Sequence, residues 1–241
     1  MSTELVDFAI KSAGGVKAWE SRRDVAVRFW SGGAALASKW QGPVKGGVIR
    51  IATSGQRAVG EDFPEEGHTG VFERGGVRIE DSDGTTIAER RDARAAFSPL
   101  RSPRHLLWWD RLDMLYFAGY AFWTYLSVPF VLNRPGFELE ELEPWEENGE
   151  TWRPLKVMFP DDIHSHSKKQ VLYFDSKDGL IRRHDYTAEP FGRWAKAAHY
   201  CTEHKEIGGL IVPTKRRVYP RGPAGRHLPG PLLLKLDLKA P

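Results

Sequence analysis

From Leu112 to Leu132 the chain carries one charge, Asp113, while Tyr116, Phe117, Tyr120, Phe122, Trp123, Tyr125 and Phe130 crowd the same run. An apolar stretch of this length raises the question of a membrane span. Three features argue against one. Pro129 ends a helix near Val128, Asp110, Arg111 and Asp113 sit in its first turns, and no second apolar segment accompanies it. The pattern predicts one helix from Arg104 to Ser127, apolar nearly all round. A helix of that kind is buried in a large core or lines a cavity. Trp108, Trp109, Tyr116, Tyr120, Trp123 and Tyr125 are therefore candidate ligand-binding residues on an apolar wall. The plainer reading is that they pack a solid core.

Around this segment the chain alternates. Residues 3–13 place Leu5, Phe8, Ala9 and Ala13 at helical spacing, with Gly14-Gly15 as a stop. Short strand-like runs follow at Asp24–Trp30, Ala34–Trp40, Gly47–Ala52, Gln56–Glu61, Thr69–Glu73, Val77–Glu80 and Thr85–Arg90. Ser54-Gly55 and Asp83-Gly84 are the best hairpin turns among them. Past Pro135-Gly136 the strands resume and run to Leu238, and Gly179 is expected at positive φ in the turn after Asp175. No repeat or linker interrupts the series. The expected fold is α+β: a mostly antiparallel, open (unclosed) β-barrel of about 11 or more strands wrapped around the aromatic helix. It is expected as a single domain over 1–241, with the helical insert at about 91–128.

Totals narrow the functional classes. A net charge of +3 over 241 residues is too small to imply nucleic-acid binding, and no zinc-finger, helix-turn-helix or RNA-recognition signature is present. The single cysteine, Cys201, forbids an internal disulfide and fits a reducing compartment. The opening MSTELVDFAIKSAGG has acids where a signal peptide wants a basic start. The expectation is a cytoplasmic protein without a lipid anchor or integral membrane association. Phosphate-loop, dinucleotide and GxSxG fingerprints are missing, so no cofactor is expected.

The segment AIKSAGGVKAWESRRDVAVRF, residues 9–29, resembles the first helix and strand of the LolA/LolB lipoprotein-carrier fold. That resemblance implies an unclosed antiparallel barrel, helices plugging its mouth, and a hydrophobic cavity within. FAGYAFWTYLSVPF, PWEENGETWRPLKVMFP and GLIRRHDYTAEPFG are similar to an uncharacterised bacterial family of about this length. This second resemblance supplies no catalytic residues.

Two polar constellations stand out. In Asp162-Ile-His164-Ser-His166 the acid and both histidines share one face of an extended segment, a weak candidate metal site for a metal-dependent enzyme. Pro160-Asp161-Asp162 equally suits an exposed turn. In Arg182-Arg183-His184-Asp185-Tyr186, strand alternation puts Arg182, His184 and Tyr186 on one face. Periodicity does not decide whether that face is inside. If it is, the row is a candidate catalytic or anchoring group, since a His near neutral pKa beside a Tyr suits proton transfer. The leading expectation is binding of a hydrophobic or amphiphilic small molecule, such as a lipid, isoprenoid or aromatic metabolite. The rival is a cofactor-independent isomerase, lyase or cyclase working from the same cavity.

Overall fold

The computed structural model describes residues 4–97 and 103–241. Two antiparallel meanders form one sheet. The first runs through β1 (Asp24–Gly32), β2 (Val44–Ala52), β3 (Arg57–Glu61), β4 (Thr69–Glu73), β5 (Gly76–Glu80) and β6 (Thr86–Arg90). The second holds β7 (Glu138–Glu141), β8 (Trp145–Glu147), β9 (Glu150–Met158), β10 (Lys169–Asp175) and β11 (Ile181–Thr187). It continues with β12 (Lys196–Ile207), β13 (Leu210–Pro220) and β14 (Leu234–Lys239). Pairing of β1 with β14 joins the halves into a 14-stranded sheet of order β6-β5-β4-β3-β2-β1-β14-β13-β12-β11-β10-β9-β7, with β8 paired to β9. The end strands β6 and β7 do not pair with each other, so the curled sheet stays open.

A block rich in glutamate, from Glu138 to Glu150, lies at one of these ends. Glu141 of β7 pairs with Arg153 of β9 at 2.6 Å, and Glu140 pairs with Lys156. Cross-strand charge pairing of this kind stabilises a sheet edge.

Helix α1 (Glu4–Ser12) buries Leu5, Val6, Ala9 and Ile10, while α2 (Val16–Glu20) lays Trp19 on Phe130 with ring centroids 4.7 Å apart. The run expected as a strand at Ala34–Trp40 is instead a short helix, α3 (Ala34–Ala37), followed by turns. Its sequence AALA carries the strongest helix former three times, and local propensity wins there.

The central helix α4 spans Arg111–Ser127, later than the predicted start at Arg104. Asp110 stops it from extending back. Its carboxylate accepts the Asp113 N–H at 2.9 Å, and the Asp113 carboxylate accepts the Asp110 N–H at 3.0 Å, a reciprocal cap. Residues 103–106 form a separate 3₁₀ turn. Arg90 and Arg104 bridge both carboxylates, and His105 Nε2 lies 2.8 Å from Asp113, which is fully buried. The other end stops where expected, with Val128 extended ahead of Pro129.

From Asp113 to Ser127 every residue of α4 is buried. The helix lies close on the first meander. A Cβ on Gly119 would sit 2.4 Å from Phe72 Cβ, and one on Gly70 would sit 2.6 Å from Leu115 Cδ1. Glycine at these two crossings lets the backbones approach. Among the described residues, no helix is long and apolar enough to cross a membrane.

Candidate functional site

Strand β11 positions the polar candidates, and a bulge separates them. Phe174 pairs with Ile181 but Tyr173 pairs with Arg183, leaving Arg182 as an extra residue. The expected shared face of Arg182, His184 and Tyr186 is therefore broken. Arg182 is drawn to Asp178 at 2.6 Å, Glu150 at 3.4 Å and Asp175 at 3.5 Å. His184 and Tyr186 remain together on the side facing α4, with ring centroids 5.0 Å apart.

They belong to a buried cluster of imidazoles and phenols. His166 stacks on Tyr186 with centroids 4.0 Å apart and planes 8° from parallel. Its Nδ1 lies 3.2 Å from the Tyr120 hydroxyl and its Nε2 2.7 Å from that of Tyr125. Tyr125 and Tyr186 hydroxyls are 3.3 Å apart, and Tyr186 reaches His199 Nδ1 at 3.4 Å. His184 Nε2 meets Gln170 Oε1 at 2.5 Å. Arg216 lies 4.8 Å over the Tyr125 ring and donates to the Tyr125 carbonyl at 2.9 Å and to Cys201 Sγ at 3.3 Å.

Burial decides the protonation of this cluster. Desolvation pushes His166 down to about 3. The same burial, helped by His166 and Arg216, pushes His184 and His199 well below the usual imidazole value. Tyr120, Tyr125 and Tyr186 are pushed up, again first by desolvation, and burial raises the Cys201 thiol. A neutral imidazole donates from one nitrogen and accepts at the other. One of Tyr120 and Tyr125 therefore donates to His166 while the other accepts from it.

The His166–Tyr186 stack forms part of the wall of a cavity of about 460 Å³. The remaining wall is nearly all apolar, built from Leu36 of α3, Phe117 of α4, Phe191, Val218 of β13 and Leu234 of β14. Its charged lining consists of Lys196 and Arg221, without a carboxylate, and Trp194 stands at its edge 80% exposed. His166 also lines a smaller cleft of about 200 Å³ with Tyr116, Arg94 and Glu189, the last two 3.5 Å apart.

None of the six candidate wall residues lines the main cavity; Tyr186 of the polar row does, and the aromatic helix contributes Phe117 instead. Trp109 stands behind it, 5.2 Å from Phe117 and 4.6 Å from Phe191. Tyr120 and Tyr125 hold His166 from behind. Tyr116 bonds His164 Nδ1 at 2.9 Å, and Trp123 points to the β2–β3 turn, donating to the Gly55 carbonyl at 2.9 Å. Trp108 leaves the interior: it is 44% exposed and stacks under Arg104.

The Asp162–His166 triad does not converge either. Asp162 is exposed, His164 faces Tyr116, and both nitrogens of His166 are taken by tyrosine hydroxyls. Phe117 and the α3 segment escaped the sequence reading of the site. The α3 signal was its alanines; Phe117 had none that set it apart from its aromatic neighbours.

A scan against family models and a search of curated proteins gave no match. Solved structures do match. A LolA superfamily protein from Nitrosomonas europaea aligns with a TM-score of 0.52 at 10% identity, covering 96% of this chain and 90% of that one. The architecture is LolA/LolB-like. A DUF1329 family protein from Desulfovibrio piger aligns at 0.53 and 12% identity, covering 98% of this chain and 90% of its own. A domain named for outer-membrane lipoprotein sorting, from Vibrio parahaemolyticus, aligns at 0.53 and 11% identity, covering 98% and 89%. At these identities the LolA-like likeness describes the fold.

Proposed function

We propose that the protein binds a hydrophobic or amphiphilic small molecule in the cavity between α3, α4 and strands β11–β14. The observation that carries this reading is the lining itself. A space of about 460 Å³ walled by aliphatic and aromatic side chains falls in the usual range for small-molecule sites, roughly 300–1,000 Å³. Lys196, together with Arg221, whose Nε already lies 3.5 Å from Asp185, favours a ligand with an anionic head, such as a fatty acid or an acidic isoprenoid. The lipoprotein-sorting name of one structural neighbour is in keeping with a lipidic ligand.

Acid–base catalysis is the reading this site supports less. A general acid or base works best with a pKa near the operating pH, and the His166, His184, Tyr125 and Tyr186 shifts all run away from neutrality. The cluster is suited to holding rings in place.

The test is titration with anilinonaphthalene sulfonate, an apolar dye with an anionic group, followed by displacement with palmitate. Ala188 also lines the cavity, and saturable binding that palmitate displaces, and that Ala188→Trp abolishes by filling the space, is expected. Equal binding by the Ala188→Trp protein would remove this cavity as the site.

A further inference from the structure

At the end of β1 remote from α3 lies a second cleft, of about 730 Å³, with a different chemistry. Arg22, Arg23, Arg50, Arg57 and Arg134 line it, against two carboxylates, Glu20 and Asp24. We propose that this cleft binds a phosphate-class anion.

The arginines are not equivalent. Arg50 is neutralised between Asp24 and Glu61, each at 3.1 Å, and Arg57 lies 3.9 Å from Glu73. Arg134 donates to the carbonyls of Thr53 and Ser54 and meets no carboxylate. Among the described residues Arg22 and Arg23 have no ion pair, and Arg22 Nε is buried without a hydrogen-bond partner. The Arg22 fork lies against the β12–β13 turn, where a Cβ on Gly209 would sit 2.8 Å from its Nη2, and an oxyanion is the natural acceptor for guanidinium forks without a carboxylate.

The cleft is also held in shape. Thr53 Oγ1 donates to the Arg22 carbonyl at 2.5 Å, and the Thr53 N–H donates to the Arg23 carbonyl at 3.1 Å. These bonds fix the backbone carrying both free guanidiniums against the end of β2. The stacked Trp19 and Phe130 rings give the cleft an apolar side. A concave surface with surplus positive charge concentrates anions. Phosphate oxygens reach such a cleft either on a free phosphate ester or on a phospholipid headgroup.

The experiment has two arms. Inorganic pyrophosphate is titrated calorimetrically, and vesicles of phosphatidylglycerol in phosphatidylcholine, or of phosphatidylcholine alone, are co-sedimented with the protein. Variants are R22A/R23A, the single Arg23→Glu at an exposed position, and R91A/K169A, which removes the same charge elsewhere on the surface. Pyrophosphate binding, phosphatidylglycerol-dependent sedimentation, or both, should weaken more than tenfold in R22A/R23A and in Arg23→Glu, but less than twofold in R91A/K169A. A response in the first arm alone assigns a soluble phosphate ester, and in the second alone a headgroup. No binding in either arm, or equal losses in R22A/R23A and R91A/K169A, overturns the proposal.

Discussion

The two faces of β11 bury polar side chains by opposite means. Toward α4, His184 and Tyr186 join His166, His199 and Tyr125 in a cluster without a carboxylate, and the imidazoles are held neutral. On the other face Arg183 is 0% exposed yet charged. It makes paired bonds to Asp185 at 2.7 and 2.8 Å, a bond to Glu147 at 2.8 Å and another to the Gly225 carbonyl. Burial opposes its ionisation, but the Asp185 hydrogen bonds and charge outweigh that and raise its pKa. Tyr173, Trp145 and Tyr200 surround the guanidinium at 5.0, 5.6 and 5.4 Å. Where partners of opposite sign are built in, charge survives burial; where they are missing, protons leave.

The largest effect is expected from breaking the charged face. Asp185→Ala leaves the buried Arg183 guanidinium with Glu147 as its remaining carboxylate, and stranding a buried ion typically costs about 3–5 kcal/mol. Urea unfolding of the variant should show a loss in that range. A loss under about 1 kcal/mol would mean that the charged face is open to water.

This contrast was only partly legible in the sequence. The first meander, its Ser54-Gly55 and Asp83-Gly84 turns, and the Pro129 stop follow from local chemistry, and the strands, apart from the run expected at Ala34–Trp40, lie close to where alternation puts them. Gly179 has φ 71°, as its turn requires. The inside face of β11 was not legible, because Arg183 through Tyr186 are all buried and alternation by polarity vanishes when both faces are covered. The Arg182 bulge depends on the register with β10, which residue order alone does not show. The start of α4 is set by the Asp110–Asp113 cap, and Arg90, remote in sequence, braces both of its carboxylates.

The second effect is acid sensitivity from the neutral face. An imidazole neutral in the fold but able to protonate once unfolded makes the unfolded state bind more protons below about pH 6.5. Stability is therefore full above that pH and falls as the pH drops. For His166 the loss continues until its folded value of about 3 is reached. Each such histidine contributes a slope of up to about 1.4 kcal/mol per pH unit, so His166 alone removes about 2 kcal/mol between pH 6.5 and 5. Urea midpoints across this range should flatten by that slope in His166→Gln. An unchanged slope would show that His166 is charged in the fold.

A smaller effect is expected at His184, whose Nε2 partner is Gln170 and which does not line the cavity. His184→Gln should cost about 1 kcal/mol, the scale of one hydrogen bond, and leave dye affinity within twofold. A large drop in affinity without a change in stability would restore His184 as a ligand anchor.

The smallest effect separates the Tyr186 ring from its hydroxyl. The ring stacks on His166 and forms part of the cavity wall. The hydroxyl makes only long contacts, 3.3 Å to Tyr125 and 3.4 Å to His199. Bonds near the outer limit of the geometry contribute little. Tyr186→Phe keeps the stack and the wall, so stability should change by less than about 1 kcal/mol. Tyr186→Ala removes both and should cost about 3 kcal/mol or more, as other large-to-small core changes do. Dye and palmitate affinity should follow the same order, unchanged in the Phe variant and much reduced in the Ala variant. A more than tenfold affinity loss in Tyr186→Phe would mean that the hydroxyl itself holds the ligand head. The neutral face would then supply the anchor that is here assigned to Lys196 and Arg221.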